Sequence, residues 1–163
     1  MNLHNLLSQL EAAPFARAIR ESTWLFPTIE TVHVLFLTLT VGSILIVDLR
    51  LLNLASRNRP VKDLTAQLLP WTWTSFIIAA VTGSLLFSSA ATRYAQLWPF
   101  QAKMAGLALA GLNMAVFHLG AYRGVDEWNR PPAAPPAAAR IAGGLSVAIW
   151  VTMIGLGRWI GFL

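Results

Sequence analysis

An all-α integral membrane protein, a four-helix up-down bundle preceded by a short interfacial amphipathic helix, is the fold class this sequence predicts. Of its 163 residues 56% are hydrophobic and only 12% charged, with a mean hydropathy of +0.58. A soluble domain has about a quarter of its residues charged. Four apolar runs, at about 24–50, 71–91, 103–122 and 141–162, reach the roughly 20 residues that a spanning helix needs. The links between them are short, so consecutive spans alternate in direction and pack as a single domain over 1–163.

Residues 2–13 place Leu3, Leu6, Leu7 and Leu10 at helical spacing among polar neighbours, a pattern that suits a helix lying in the membrane interface until Pro14 interrupts it. No basic region, apolar core and small-residue cleavage site follow one another here, so no cleaved signal peptide is expected. Ser22 or Thr23 is placed to cap the first span, and Pro27 is tolerable near its first turn. The span is expected to leave the hydrocarbon near Asp48 and Arg50. Inside it, Glu30 and His33 share one helical face with Leu37, Thr40, Val41, Ile44 and Asp48. Ionisable groups are costly in a bilayer, so this stripe is read as facing protein or cofactor.

The connection 55–70 carries Arg57, Arg59, Lys62 and Asp63 and reads as a polar surface loop, with a short amphipathic helical stretch from Pro60 through Leu68. The second span has no charge and opens with Trp71 and Trp73, residues suited to the water boundary. Gly83, Ser84, Ser88 and Ser89 thin its later half, which permits close helix contact or room for a ligand. A brief link, 93–101, holds the interfacial aromatics Tyr94, Trp98 and Phe100. On the third span Met104, Leu107, Gly111, Met114, Ala115, His118 and Tyr122 form one face beside Lys103, with Gly106 and Ala110 as a second, small-residue strip. The segment 123–140, with Pro131, Pro132, Pro135 and Pro136, reads as an exposed semi-rigid linker. The fourth span contains the small pairs Gly144 with Ala148 and Gly157 with Gly161, and Arg158 near its end.

The net charge of +5 does not mark a nucleic-acid binder, because the basic residues are scattered at the ends of apolar segments without a basic stripe. Seven of them lie in the first-to-second and third-to-fourth connections and five on the opposite side, which by the positive-inside tendency turns both termini outward. The chain has no cysteine, which removes disulfides, thiolate metal sites and cysteine nucleophiles.

This topology brings Glu30, His33, Lys103 and Arg158, with Arg93 nearby, to similar depth at one mouth of the bundle. One outcome is an ion-pair network in which Glu30 neutralises Lys103 or Arg158 while the remaining cation reaches the interface. For His33 three readings stand open: a hydrogen-bonded helix contact, an axial ligand to a haem with the cations serving its propionates, or part of a Glu-x-x-His metal site. His118 is the other intramembrane histidine, on a face that Gly111 and Ala115 leave thin. Counted along the helices, it lies roughly 13 Å deeper than His33, at 1.5 Å per residue. Two haems with one histidine each, His4 folding inward to join His33, or a single ligating histidine are the arrangements left, with Met104 and Met153 as conceivable sixth ligands. No phosphate loop, Ser-His-Asp arrangement or deeply buried lysine supports another chemistry.

The stretches ESTWLFPTIETVHV, VDLRLLNLASRNRPV, LLPWTW and FQAKMAGLALAGLNMAVFH together resemble a family of small uncharacterised bacterial four-helix inner-membrane proteins. The resemblance covers about residues 1–160 and rests on Glu30, His33, Asp48, Arg50, the Pro70–Trp71 corner, Lys103 and His118. More distantly, the layout is similar to four-helix haem b membrane cytochromes and to the membrane component of copper-resistance systems. That likeness implies a haem b or a copper role. The expected location is the bacterial inner (cytoplasmic) membrane, and the outward-facing termini given by the charge distribution are then periplasmic in a Gram-negative source.

The leading expectation is a haem b protein moving electrons between a periplasmic partner and the quinone pool or another membrane redox subunit. It would be an electron-transfer or binding subunit more than a stand-alone catalyst. His33 is the first expected iron ligand and His118 the next; Lys103, Arg158 and Arg93 would hold propionates, and Glu30 would orient His33 or balance charge. Two alternatives belong to other classes: a copper-handling protein using His33, Glu30 and the methionines, and a structural or assembly subunit docking its small-residue faces onto a larger complex or a second copy.

Overall fold

The computed structural model of the chain describes residues 2–129 and 134–162. Two short helices, α1 (Leu3–Ala12) and α2 (Pro14–Glu21), lead into α3 (Leu25–Leu51). Then come α4 (Val61–Ser89), α5 (Ala91–Gln96) and α6 (Trp98–Leu119). A 3-10 turn (Ala121–Gly124), α7 (Val125–Trp128) and α8 (Ala137–Ile160) complete the order. Four helical segments, α3, α4, α6 with its continuation to Trp128, and α8, are each long and apolar enough to cross a membrane. The chain is a multi-pass membrane protein built on a four-helix bundle.

Local chemistry sets the boundaries. Pro14 has the fixed φ that suits a first helical position, so it ends α1 and opens α2. The Ser22 hydroxyl accepts from the Trp24 and Leu25 amides at 3.2 and 3.1 Å, satisfying two donors at the start of α3. At the other end Asn53 takes a φ of 59°, a left-handed conformation that asparagine tolerates, and the Leu54 and Ala55 amides turn back onto the Leu49 carbonyl.

Two expectations change here. The short helical stretch expected from Pro60 through Leu68 is present, but it is not a separate element in a surface loop: α4 starts at Val61 and runs unbroken through Pro70 into the second span. A proline inside a helix costs about 3 kcal/mol. Burial of Val61 and Leu64 on the first two turns of α4 offsets this, Val61 within a cluster that includes Leu51, Phe117, Val125 and Ala142. The segment 123–140 is also less open than expected. Val125 is buried in that same cluster, Trp128 Nε1 donates to the Ala121 carbonyl at 3.2 Å, and α8 begins at Ala137. Arg130, Pro131 and Pro132 of that linker lie outside the described residues.

The spanning helices form a row in which α3 packs on α4, α8 on α3 and α6 on α8. Between the ends of the row, α4 and α6 meet at the end of the bundle that carries α5, through the stacked rings of Phe87 and Phe100, 5.0 Å apart. Toward the opposite end, which carries α7, they splay. Close packing within the row uses glycines as sockets. A Cβ on Gly83 of α4 would lie 2.9 Å from His33 Cε1 of α3, one on Gly106 of α6 would lie 2.9 Å from Met153 Cγ of α8, and one on Gly143 of α8 would lie 3.1 Å from both the Asp48 carbonyl and Leu51 Cβ of α3. Removing the side chain lets the helix axes approach, the main source of helix association where no hydrophobic effect acts.

The outer faces carry exposed Leu35, Val81, Val116 and Val151, suited to lipid; Trp24, Trp98 and Trp159 stand exposed at helix ends, and Trp71 stands exposed within α4. The N-terminal helices are docked on the α5 end as well as being amphipathic. Glu11 accepts hydrogen bonds from the Thr92 amide and hydroxyl, both at 2.7 Å, which hold its carboxyl below the usual carboxylate range, and Arg20 donates to the Ser89 carbonyl.

Candidate functional site: a lateral cleft and a separate histidine

The splay of α4 from α6 opens a cleft of about 370 Å³ whose floor is α3 and α8. Its walls are mostly apolar: Val47, Leu68, Phe76, Leu107, Phe117 and Trp150 are among the residues that line it. Trp73 and Phe76 form an edge-to-face pair on the α4 side, centroids 6.0 Å apart. Leu69, Trp73, Gly111 and Met114 line the cleft and are themselves exposed, so it opens sideways between α4 and α6, toward the lipid.

Polar groups gather toward its α7 end. Asp48 is only 5% exposed, with Ser146 beside its carboxyl, and its Oδ2 has no hydrogen-bond partner among the described residues. Asn113 Nδ2 donates to the Ala142 carbonyl at 2.9 Å; since a carbonyl only accepts, the amide oxygen of Asn113 is the end left over. His118 Nδ1 lies 2.9 Å from the Met114 carbonyl and must carry its proton there, which leaves Nε2 as an acceptor. Thr65 also lines the cleft, and its buried hydroxyl has no hydrogen-bond partner among the described residues. Higher up, Thr40 meets Ser75 and Ser43 meets Thr72 across α3 and α4, at 2.9 and 2.8 Å. The Ser43–Thr72 contact fixes the level of Asp48: it lies five residues further along α3, about 7 Å beyond the level of Trp71 and Trp73, toward the α7 end.

His33 occupies a different place. Its ring fills the Gly83 socket near the α5 end, with Nδ1 2.9 Å from the Ala79 carbonyl and 3.2 Å from the Thr82 hydroxyl. Nδ1 is therefore the protonated nitrogen and Nε2 carries the lone pair. The charges of Lys103 and Glu30 both reach the ring. The Lys103 ammonium lies over Gly157 of α8, 3.4 Å from where a Cβ would stand.

Of the residues expected to cluster with His33, Lys103 and Glu30 are thus its electrostatic neighbours, although Glu30 is exposed. Arg158 turns away and stacks its guanidinium 4.7 Å from the Phe162 ring centre, and Arg93 stands exposed on α5. His118 is at the other end of the bundle, packed between Phe117 and Tyr122, so the two imidazoles do not face one site. Met153 is buried against Gly106, and Met104 is exposed. Among the described residues no three of His, Asp and Glu converge.

Asp48 and Arg50 were expected to mark the exit of α3 from the hydrocarbon, yet both are buried, Arg50 completely, with its Nε donating to the Arg59 carbonyl. Asp48 lay on the polar stripe of α3 but was not read as a site residue, and Asn113 was passed over. A polar amide in the middle of an apolar span was the available signal.

Fold and site define the class: a small multi-pass helical membrane protein with a polar-ended cleft open to the bilayer. Residues 23–163 match a family described as a family of unknown function, DUF6644, and the chain belongs to that family. No curated protein and no solved structure matches the chain. The more distant likeness to haem b cytochromes and copper-resistance components gains no support from these comparisons.

Proposed function

We propose that this protein is a membrane-embedded binding protein that takes an amphiphile from the bilayer sideways into the cleft between α4 and α6. One observation carries the reading: a buried carboxyl oxygen of Asp48 without a partner among the described residues, on a residue at the polar end of an otherwise apolar cleft. A buried polar oxygen without a partner is unfavourable, so a group that completes it has a standing advantage. Ligand sites of roughly 300–1,000 Å³ with apolar walls and a few placed polar groups are the usual form of small-molecule pocket. The level of Asp48 beyond Trp71 suits a ligand whose head sits at the interface and whose tail lies among lipid chains. The bacterial inner membrane is the proposed location. Arg50, Arg57, Arg59, Lys62, Arg123 and Arg140, toward the α7 end, support a cytoplasmic position for the polar end of the cleft and periplasmic termini.

The test uses the variant Gly111→Trp, which fills the cleft from a position where a Cβ meets nothing within 4 Å, and Val116→Trp on the exposed outer face of the same helix as control. Solvent extracts of the detergent-purified proteins are compared by mass spectrometry. Wild type and Val116→Trp are expected to retain an amphiphile that Gly111→Trp has lost. Equal retention by all three would refute the reading.

A second reading keeps haem b at the other end. A metal-bound histidine commonly donates its second nitrogen to a carbonyl, as His33 does to Ala79, and Lys103 would be the cation nearest for a propionate. The haem would supply one-electron chemistry toward the quinone pool. A Soret band in purified protein, lost in His33→Ala, is the expected sign; colourless protein from haem-replete cells counts against it. Copper draws no comparable support from the geometry.

A further inference from the structure

We infer that residues 121–129 form a lid over the α7 end of the cleft, hinged at Gly120 and clasped to α4 through Lys62, and that its release joins the cleft to the aqueous phase. This rests on the reading of the cleft as an amphiphile site and adds a second, polar entrance to it.

The segment closes the polar end of the cleft. Val125 is buried in one cluster with Leu51, Phe117 and Ala142, and those three also line the cleft. The Tyr122 ring lies beside the cleft-lining rings of His118 and Phe117, centres 5.1 and 5.6 Å away. Arg123, Asp126 and Glu127 are exposed, which marks the outer side of the segment as the aqueous one.

Its attachments suit a part that moves. At the end of α6 a Cβ on Gly120 would stand 2.9 Å from the Val116 carbonyl, so this break in the helix requires a glycine. Trp128 Nε1 donates to the Ala121 carbonyl, which ties one end of the segment to the other and lets it turn as one piece. Two polar bonds hold it to α4, both through Lys62: the ammonium pairs with Asp126 at 2.5 Å, and the amide donates to Asn129 Oδ1 at 2.9 Å. That amide is a first-turn donor of α4, so the lid caps the helix on which it rests. The ion pair is exposed, 43% and 77% for the two side chains; such pairs contribute little and weaken with salt. A helix as short as α7 has no stability of its own. The lid is therefore held by Val125, its neighbouring rings and a clasp that water and ions reach.

The chain has no cysteine, so a single introduced thiol reports access to the cleft. Thr65→Cys places it where the native hydroxyl is shielded, and Ala142→Cys does so from α8. Asn58→Cys, exposed on the α3–α4 connection, is the reference. Each is labelled in lipid nanodiscs with a charged methanethiosulfonate, which cannot enter from the bilayer. Both cleft thiols are expected to react at least about tenfold more slowly than the reference, at a rate set by the open fraction of the lid. Adding Asp126→Ala together with Asn129→Ala should raise that rate about tenfold and leave the reference unchanged, the effect of losing one exposed ion pair and one hydrogen bond. Should melting show that this double change unfolds the protein, the native clasp decides: going from about 50 to about 500 mM salt should speed the cleft thiols about twofold relative to the reference. Cleft thiols that react as fast as Asn58→Cys, or that keep their rate when the clasp is cut or screened, overturn the lid. The cleft reading is decided separately, by whether Gly111→Trp loses the amphiphile that wild type retains.

Discussion

The imidazole of His33 is seated against the bare backbone of Gly83, close enough that a single methyl there would stand 2.9 Å from Cε1. The ring cannot retreat freely, because Nδ1 is tied to the Ala79 carbonyl one turn away on the same helix. Gly83→Ala is therefore expected to destabilise the α3–α4 pair by about 1–3 kcal/mol through overpacking, partly offset by the helix propensity of alanine. Thermal unfolding in detergent measures it. In a His33→Ala background the same substitution should become neutral or stabilising, and an unchanged penalty there would dissociate Gly83 from His33.

The other two sockets should respond differently from each other. At Gly106 the obstructing atoms belong to Met153, an unbranched side chain that can change rotamer, so Gly106→Ala should cost less than about 1 kcal/mol. At Gly143 the neighbours are the Asp48 carbonyl and Leu51 Cβ, which move only if α3 moves. Gly143→Ala should cost more than Gly106→Ala and also weaken amphiphile retention, since α3 and α8 form the floor of the cleft. The ranking is read from melting temperatures of the two variants beside wild type.

Asp48→Asn should trade function for stability. With the cleft empty, the change replaces a buried carboxylate lacking one partner by a neutral amide, which should stabilise the protein by roughly 1–3 kcal/mol. Delipidated protein in detergent is the sample to melt, and a loss of stability on Asp48→Asn would mean that Ser146 and its surroundings already satisfy the carboxylate.

Acid should loosen the N-terminal helices. The two hydrogen bonds from Thr92 favour the ionised form of Glu11 and lower its folded-state pKa from the ordinary 4.5. A depressed carboxylate contributes stability that is complete above the ordinary value and is lost as pH falls through the folded one. Melting temperature followed from pH 7 downward should thus show a fall below about pH 4.5 that Glu11→Gln lacks. Identical profiles would mean that the contact of Glu11 with Thr92 does not couple to stability.

The spanning segments were legible because each depends on a local property. A run of about 20 apolar residues can satisfy its backbone only as a helix in lipid, whatever surrounds it. The polar stripe on α3 was legible in most of its length: Thr40, Val41 and Asp48 are buried and His33, Leu37 and Ile44 partly covered, but Glu30 at its start is exposed. The continuity of α4 was not, because the short helical stretch expected from Pro60 is polar and followed by Pro70. Only contact with the cluster around Leu51 and Phe117 makes that helix worthwhile.

The site divided along the same line. His33 was identified from its residue type at its depth in a span, and Lys103 and Glu30 are its electrostatic neighbours. Arg158 could not be placed from sequence, since its long side chain had a choice between the bundle mouth and the ring of Phe162. The cleft was beyond the sequence altogether. It exists because α3 and α8 pack closely through Gly143 while α4 and α6 splay apart toward the α7 end. Sequence alone determined that four helices cross the membrane and which residues they bring into it. The tertiary structure decided which helices touch, and so which of those residues face a common space, because helix pairing depends on side chains meeting across the gap.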